Sequence, residues 1–432
     1  MPSNDRTVAS PEVTISARWL PIAMLWLVFF FNYSDRQAIY AVFPLIKQQF
    51  HLSDVQLGIL GSCFMWMYAL FGPFAGWVSD RVSRRNLILG SLIFWSVMTG
   101  ATAIASSFGE LVLCRALGGL GEAFYFPAAM SMISDLHGPR TRSRAMSLHQ
   151  SAVYIGSIAG GSISGFVGEH HGWQASFILF GSGGAVLGLV LLFFLREPVR
   201  GMSEEKTSLP QISPRKTTAD TLRTLLQNRM VLFLIAIFVG ANFVAVVFLT
   251  WLPTFLHDKF HMSLSLAGLN GTVYLQFASL LGVLTGGYLA DRLSSRRPGG
   301  RLLTQSIGLL AATPFLFLTG WTIAVPVLIV AMIGFGYFKG WYEANIVAGL
   351  YDFVPVEDRG AATGILNSIG WLGGSTAPIV IALASARFGM GPSISATAAV
   401  YLCIGGLLLV VATRVTRRPL RTTAAELDPN IP

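Results

Sequence analysis

One phrase occurs twice in this chain. Gly76-Trp-Val-Ser-Asp80-Arg81-Val-Ser-Arg84-Arg85 returns 211 residues later as Gly287-Tyr-Leu-Ala-Asp291-Arg292-Leu-Ser-Ser-Arg296-Arg297, each time at the end of a long apolar stretch. A Gly-x-x-x-Asp-Arg turn with trailing arginines, once per half, predicts a duplicated membrane bundle. Internal repeats of this kind build folds whose halves rock about a site near the bilayer midplane.

Composition agrees. The 432 residues are 53% apolar and 12% charged, outside the range of soluble domains. About 20 apolar residues span a bilayer, and twelve such stretches are predicted: 19–41, 56–79, 86–107, 110–134, 145–168, 173–195, 230–256, 267–290, 302–322, 324–350, 361–385 and 391–413. The 45 glycines fit membrane helices, where small residues permit close packing. The run Gly156-x-x-x-Gly160-Gly161-x-x-x-Gly165 marks one helix that a neighbour should approach closely. No cleavable leader is expected, because the first stretch is already of span length and runs into Asp35-Arg36.

The net charge of +9 is not a nucleic-acid footprint. Of the 30 Lys and Arg, 24 fall at the two ends and in the even-to-odd loops; three (Lys47, Lys259, Arg387) fall in the opposite loops and three (Arg36, Arg115, Lys339) within spans. This asymmetry predicts cytoplasmic termini. The expected organisation is a cytoplasmic tail 1–18, a six-helix half 19–195, a basic linker 196–229, a second half 230–413 and a tail 414–432. Cys63, Cys114 and Cys403 all lie in spans and read as packing residues. The sequence has no Gly-rich phosphate loop, no zinc spacing and no nucleophile–base pair, so an enzyme, an ATP-driven pump and a cofactor-dependent protein are not expected.

Six charges lie deep within spans: Asp35, Arg36, Arg115, Glu122, Lys339 and Glu343. Each costs about 2.5–3.5 kcal/mol or more at the bilayer centre, and together they balance. Lys339 and Glu343 stand four apart and meet on one helix face, so a structural pair explains them as well as a site does. Arg115 and Glu122 are two turns apart, and Gly119 and Gly121 between them are expected to leave open space alongside. Asp35 and Arg36 close an apolar helix within Asn32-Tyr33-Ser34-Asp35-Arg36-Gln37. Arginine stays charged and grips carboxylates bidentately, whereas a buried carboxylate can be tuned to titrate. The group therefore suggests a proton site beside an anion site. Protonation of Asp35 or Glu122 would cancel the charge that an anion brings, leaving nothing unpaired in low dielectric.

An offset of 217 aligns Asp135 with Asp352, Arg142 with Arg359, Tyr125 with Tyr342 and Gly156 with Gly373. The same register sets Glu122 on Lys339 and Gln150 on Asn367, so scaffold positions repeat while mid-membrane polar positions differ. Gln150 and Asn367 become candidate hydrogen-bonding groups for a hydroxylated substrate, with ordinary interhelical bonding as the plain alternative. His149 reads as a satisfied interior group, and Phe124, Tyr125, Trp341 and Tyr342 as packing.

These residues resemble a known family. The paired Asp-Arg loops (Gly76, Asp80, Arg81, Arg84, Arg85; Gly287, Asp291, Arg292) resemble the signature of the major facilitator superfamily over nearly the whole chain. Arg115-x-x-x-Gly119-x-Gly121-Glu122-Ala123 is similar to the fourth-helix motif of its proton-coupled members. Asn32-Tyr33-Ser34-Asp35-Arg36, Phe126-Pro127 and Asn367 resemble the anion:cation symporters, which carry hexuronates and other sugar acids. That resemblance implies an all-α fold of twelve transmembrane helices in two pseudo-symmetric bundles. It also implies Asp35 and Glu122 as proton carriers, Tyr33, Arg36 and Arg115 as the grip on a substrate carboxylate, and Asn367 as a contact to its hydroxyls. One position departs: where those carriers have a glutamine on the fifth helix, this chain has Val153.

The same motifs, with Ile133-Ser134-Asp135, also resemble the spinster-like carriers of lysolipids and sphingoid lipids. A membrane sensor that binds without transporting is the third alternative, though no extra signalling segment is evident. The leading expectation is a monomeric, proton-coupled symporter of a small organic anion in a bacterial inner membrane.

Overall fold

The computed structural model describes residues 15–79, 81–138, 141–200, 202, 218–355 and 358–417. Seventeen helices and no strand occur among them. In chain order they are α1 (Ile15–Ala41), α2 (Phe43–Phe50), α3 (Asp54–Ser79), α4 (Arg84–Thr102), α5 (Phe108–Ala123), α6 (Tyr125–Leu136), α7 (Arg142–His171), α8 (Trp173–Phe194) and α9 (Thr218–Gln227). There follow α10 (Arg229–Phe260), α11 (Leu264–Ser294), α12 (Gly300–Trp321), α13 (Val325–Glu343), α14 (Ile346–Tyr351), α15 (Arg359–Gly374), α16 (Ala377–Phe388) and α17 (Met390–Arg417). Because α1 continues into α2, α5 into α6, α13 into α14 and α15 into α16, the chain makes twelve membrane-length segments. Nine of them are long and apolar enough to cross a bilayer on length and composition alone. The short α9 lies inside the stretch expected to be linker and buries Leu225.

Local chemistry places the helix ends. Ser83, Ser107 and Ser263 accept the backbone amides of Asn86, Glu110 and Leu266, capping α4, α5 and α11, and Asn228 does the same for α10. Such caps satisfy amides that have no partner within the helix. The first span of each half ends on a left-handed histidine, His51 at φ 52° and His261 at φ 51°. The break between α15 and α16 precedes Pro378, whose ring nitrogen cannot donate to the preceding turn.

The two halves repeat each other. In the first, α1 packs on α7, α3 on α5, and α4 on α8; in the second, α10 packs on α15, α11 on α13, and α12 on α17. The 217-residue register survives in the backbone: Gly172 has φ 83° and ψ 156°, and Gly389 has φ 84° and ψ 155°. That region is essentially restricted to glycine.

The halves meet at the end of the bundle away from the termini. There α7 and α11 touch backbone to backbone: a Cβ on Gly268 would lie 2.2 Å from the Gly161 oxygen, and one on Gly165 would lie 2.4 Å from the Leu264 oxygen. Beside this seam, Glu169 Oε2 accepts the Ser265 amide at 2.8 Å and the Ser265 hydroxyl at 2.5 Å, so a carboxylate of one half caps a helix of the other. Gly58 of α3 likewise abuts the Pro378 carbonyl of α16. Towards the other end, Gly72 and Gly76 of α3, Gly287 of α11, and Gly360 and Gly364 of α15 face open space.

Candidate functional site

The four charges expected in the first half converge, but they pair crosswise. Arg36 Nε lies 2.5 Å from Glu122 Oε2, joining α1 to α5. Arg115 Nη1 of α5 faces Asp35 Oδ1 of α1 at 3.8 Å. Two adjacent residues of α1 therefore offer opposite charges to partners of opposite sign on α5. Thr99 of α4 donates its hydroxyl to Asp35 Oδ2, completing a three-helix cluster.

Aromatic rings hold the guanidinium groups. The Arg36 carbon stands 4.9 Å from the centroid of Tyr33, 5.0 Å from Phe64 and 4.5 Å from Tyr68. Arg115 stands 4.7 Å from Phe64. Ring faces attract cations, and more strongly out of water, so the cluster retains its charge without bulk solvent. The side chain of Glu122 is 0% exposed and that of Arg36 12%. Arg36, not Glu122, reaches the cavity between the halves, which Tyr33, Gln37, Phe64, Ser157, Leu249 and Trp371 also line. One hydrogen bond and one ring contact close the cavity towards the second half: Gln37 Nε2 donates to the Leu249 carbonyl at 3.0 Å, and Tyr68 meets Trp371 edge-on.

The expected open space beside Gly119 and Gly121 is filled. A Cβ on Gly119 would fall 2.2 Å from the Phe64 oxygen, and one on Gly121 would fall 2.6 Å from the Phe94 ring. These glycines bring α3 and α4 against α5, which is how Phe64 reaches both arginines. Arg115 and Glu122 consequently sit behind the cavity wall.

Elsewhere the expected residues divide. Lys339 Nζ binds Glu343 Oε1 at 2.5 Å, a pair within α13, with Lys339 buried. Asn367 is half-buried on α15, one turn from Trp371, and Gln150 is exposed on α7, two turns from Ser157. His149 is buried as expected, bonded to the Tyr125 hydroxyl at 2.8 Å and stacked on Phe29.

The repeated loops form matching ion pairs. Arg84 pairs with Asp135, and Arg301, 217 residues on, pairs with Asp352 at 2.7 Å and with Asp291 at 3.5 Å. Arg142 donates to the Ser134 carbonyl and Arg359 to the Tyr351 carbonyl, again in register. Asp80 lies outside the described residues. Arg81 and Arg292 are exposed, and Arg81 stacks on Trp77 at 4.0 Å. Arg85 donates to the carbonyls of Leu195 and Leu192, both at 2.5 Å.

One participant carried no motif. Glu197, just beyond α8, accepts the amides of Arg84 (3.0 Å) and Arg85 (2.6 Å) and the Ser83 hydroxyl (2.8 Å). It thus caps α4 beneath the first repeated loop. Its partial burial raises the carboxyl pKa, but these donors and the Arg84 charge outweigh that and hold it below its ordinary value.

The profile of the Major Facilitator Superfamily matches residues 25–338 and 256–429. The chain belongs to this superfamily. Among facilitators of known kind it is 32% identical over 318 residues to human protein spinster homolog 1, covering 69% of this chain and 60% of that protein's length. It is 27% identical over 411 residues to the probable galactarate/D-glucarate transporter of Escherichia coli K12, covering 88% and 90%. Its fold matches the inward-facing, unoccupied crystal structure of a bacterial homolog of the human lysosomal transporter spinster, with TM-score 0.81, 23% identity and coverage of 92% and 97%. This chain therefore has the multi-pass helical fold of the superfamily, and it spans 60% of the length of human protein spinster homolog 1.

Proposed function

We propose that this facilitator is a proton-coupled symporter that carries a small organic carboxylate, such as a sugar acid, by alternating access. The crossed ion pairs carry the reading. Glu122 engages Arg36 through Nε alone among the described contacts, which leaves the terminal guanidinium nitrogens for a bidentate grip on an incoming carboxylate. A proton on Glu122 removes the competing charge and balances a monocarboxylate, and a second on Asp35 releases Arg115 and balances a dicarboxylate. The loaded cluster is then neutral and can reorient without an unpaired buried charge. In this reading the halves 19–195 and 230–413 rock as bodies, the basic end faces the cytoplasm of a bacterial cell, the protein works as a monomer, and Asn367 and Glu343 meet the substrate from the second half.

A second reading is favoured by one observation. Phe64, Met65, Leu249 and Trp371 give the cavity a largely apolar wall, which suits the chain of a lysolipid, the cargo that the resemblance to spinster-like carriers implies. Uptake into proteoliposomes under an imposed pH gradient, across sugar acids, monocarboxylates and lysolipids, separates the two. Carboxylate uptake that survives unchanged in the Glu122→Gln, Asp35→Asn double variant overturns proton symport. Transport of lysolipids without any carboxylate establishes the second reading.

A further inference from the structure

Asp35 has two unlike oxygens. Oδ1 faces the Arg115 guanidinium, while Oδ2 meets the Thr99 hydroxyl. Thr99 is buried in α4, and its Oγ1 also lies 2.9 Å from the Trp95 carbonyl, one turn back. A hydroxyl has one proton to donate and two lone pairs to accept with. It can serve Asp35 or Trp95, never both. A threonine bonded to the carbonyl four residues back is common in helices; one placed between that carbonyl and a buried carboxylate is a two-position element.

We infer that Asp35 takes its proton on Oδ2 and that Thr99 is the positioning residue which accommodates both charge states. With Asp35 ionised, Thr99 turns its proton to Oδ2 and Arg115 faces Oδ1. With Asp35 protonated, the new O–H donates from Oδ2 to Thr99 Oγ1, and the Thr99 proton swings to the Trp95 carbonyl. Neither the Thr99 proton nor the proton on Asp35 is stranded in either state, which matters because an unsatisfied buried polar group costs about 1–3 kcal/mol. A proton on Oδ1 would instead point at the guanidinium donors. The charged groups around the site are Arg36 on the same helix and Arg115 and Glu122 on α5. The packed helices α7 (between Ala145 and Gly168), α8, α10 (between Met230 and Leu256) and α11 (before Asp291) add no Asp, Glu, Lys or Arg, Asp135 of α6 is held by Arg84, and Lys47 of α2 by Asp54.

This inference rests on the proton-coupled reading, and two measurements keep their failures apart. The first is the pH midpoint of gradient-driven uptake in proteoliposomes. Thr99→Val keeps the shape and removes the hydroxyl; it should displace the midpoint by about one pH unit, the scale of one net hydrogen bond. Thr99→Ser should restore it. The second needs no transport: the carboxylic-acid stretching band in infrared difference spectra, assigned to Asp35 by its loss in Asp35→Asn. That band should shift in Thr99→Val and not in Thr99→Ser. An unmoved band overturns the proton's seat on Oδ2. A moved band with an unmoved midpoint overturns the part of Thr99 in coupling. Absence of pH-driven uptake in the wild type defeats the symport reading and leaves the proton's seat to the band. Should Thr99→Val fail to fold, Thr99→Ala is read by the same two criteria.

Discussion

Arg36 takes as its partner Glu122, 86 residues away, and not the adjacent Asp35. Adjacent residues on a helix point in directions about 100° apart, so Asp35 and Arg36 reach different turns of α5. This crossing leaves Arg36 alone at the cavity, with its partner Glu122 and the Asp35–Arg115 pair behind the wall.

Glu122→Gln should therefore uncouple the carrier. The amide keeps a carbonyl acceptor for Arg36 but neither charges nor titrates. Uptake driven by a pH gradient should drop to below about a tenth of wild type, while counterflow exchange of the same substrate continues. That tenfold threshold corresponds to about 1.4 kcal/mol. Loss of exchange together with gradient-driven uptake would point to a structural role for the pair.

Arg115→Lys should be worse than the retained charge suggests. The guanidinium carbon stands 4.7 Å from the centre of the Phe64 ring, and an ammonium neither stacks on a ring as a planar guanidinium can nor forms a fork. We expect substrate affinity to fall at least about tenfold, or about 1.4 kcal/mol, measured by equilibrium binding in detergent.

Disrupting the closed end should open it. Glu169→Ala removes the carboxylate that caps α11 from the opposite half, and Gly268→Val drives a side chain into the Gly161 carbonyl. In a cysteine-free background, a cysteine at Ser157 on the cavity wall should then label faster from that side with an impermeant thiol reagent. Unchanged labelling in both variants would remove the seam from the gate.

The cap beneath the first repeated loop predicts an acid-side stability loss. Glu197 is held below its ordinary pKa in the folded protein, so its contribution is full above the unfolded value and fades as pH falls through the folded one. Glu197→Gln should lower stability by about 1 kcal/mol or less near neutrality, as for an exposed helix cap. Mutant and wild type should converge in thermal unfolding once the pH is below the carboxylate range.

The physics of burial made much of this molecule legible from its sequence. Twelve spans follow from hydropathy, and Asp35, Arg36, Arg115 and Glu122 stand out because a charge in hydrocarbon is expensive. Their pairing was not legible, since helix rotation and the approach of α3 through Gly119 are set by tertiary packing. Thr99 and Glu197 carry no sequence signal for a related reason. A threonine inside a helix and a glutamate after one are ordinary until a partner from another helix is known. Register with Asn367 points Gln150 towards the site, yet it lies on α7 at a different depth from Ser157, which lines the cavity. The break before Pro378 interrupts α15–α16 while α7, its counterpart, runs unbroken, and such asymmetry blunts inference from one half to the other.

Every member of the crossed cluster belongs to α1, α4 or α5, and its aromatic clamp to α1 and α3; Lys339 and Glu343 pair within α13 and make no ion pair with that cluster among the described residues. In the proposed mechanism the groups that answer to the proton are thus confined to one half, and the other half chiefly supplies a wall. Inheritance can act on the two separately. A lineage could remodel Leu249, Asn367 and Trp371 to admit a new cargo while leaving its power source untouched, and a carrier assembled from the first half of this chain and the second half of a relative should keep its drive and exchange its freight.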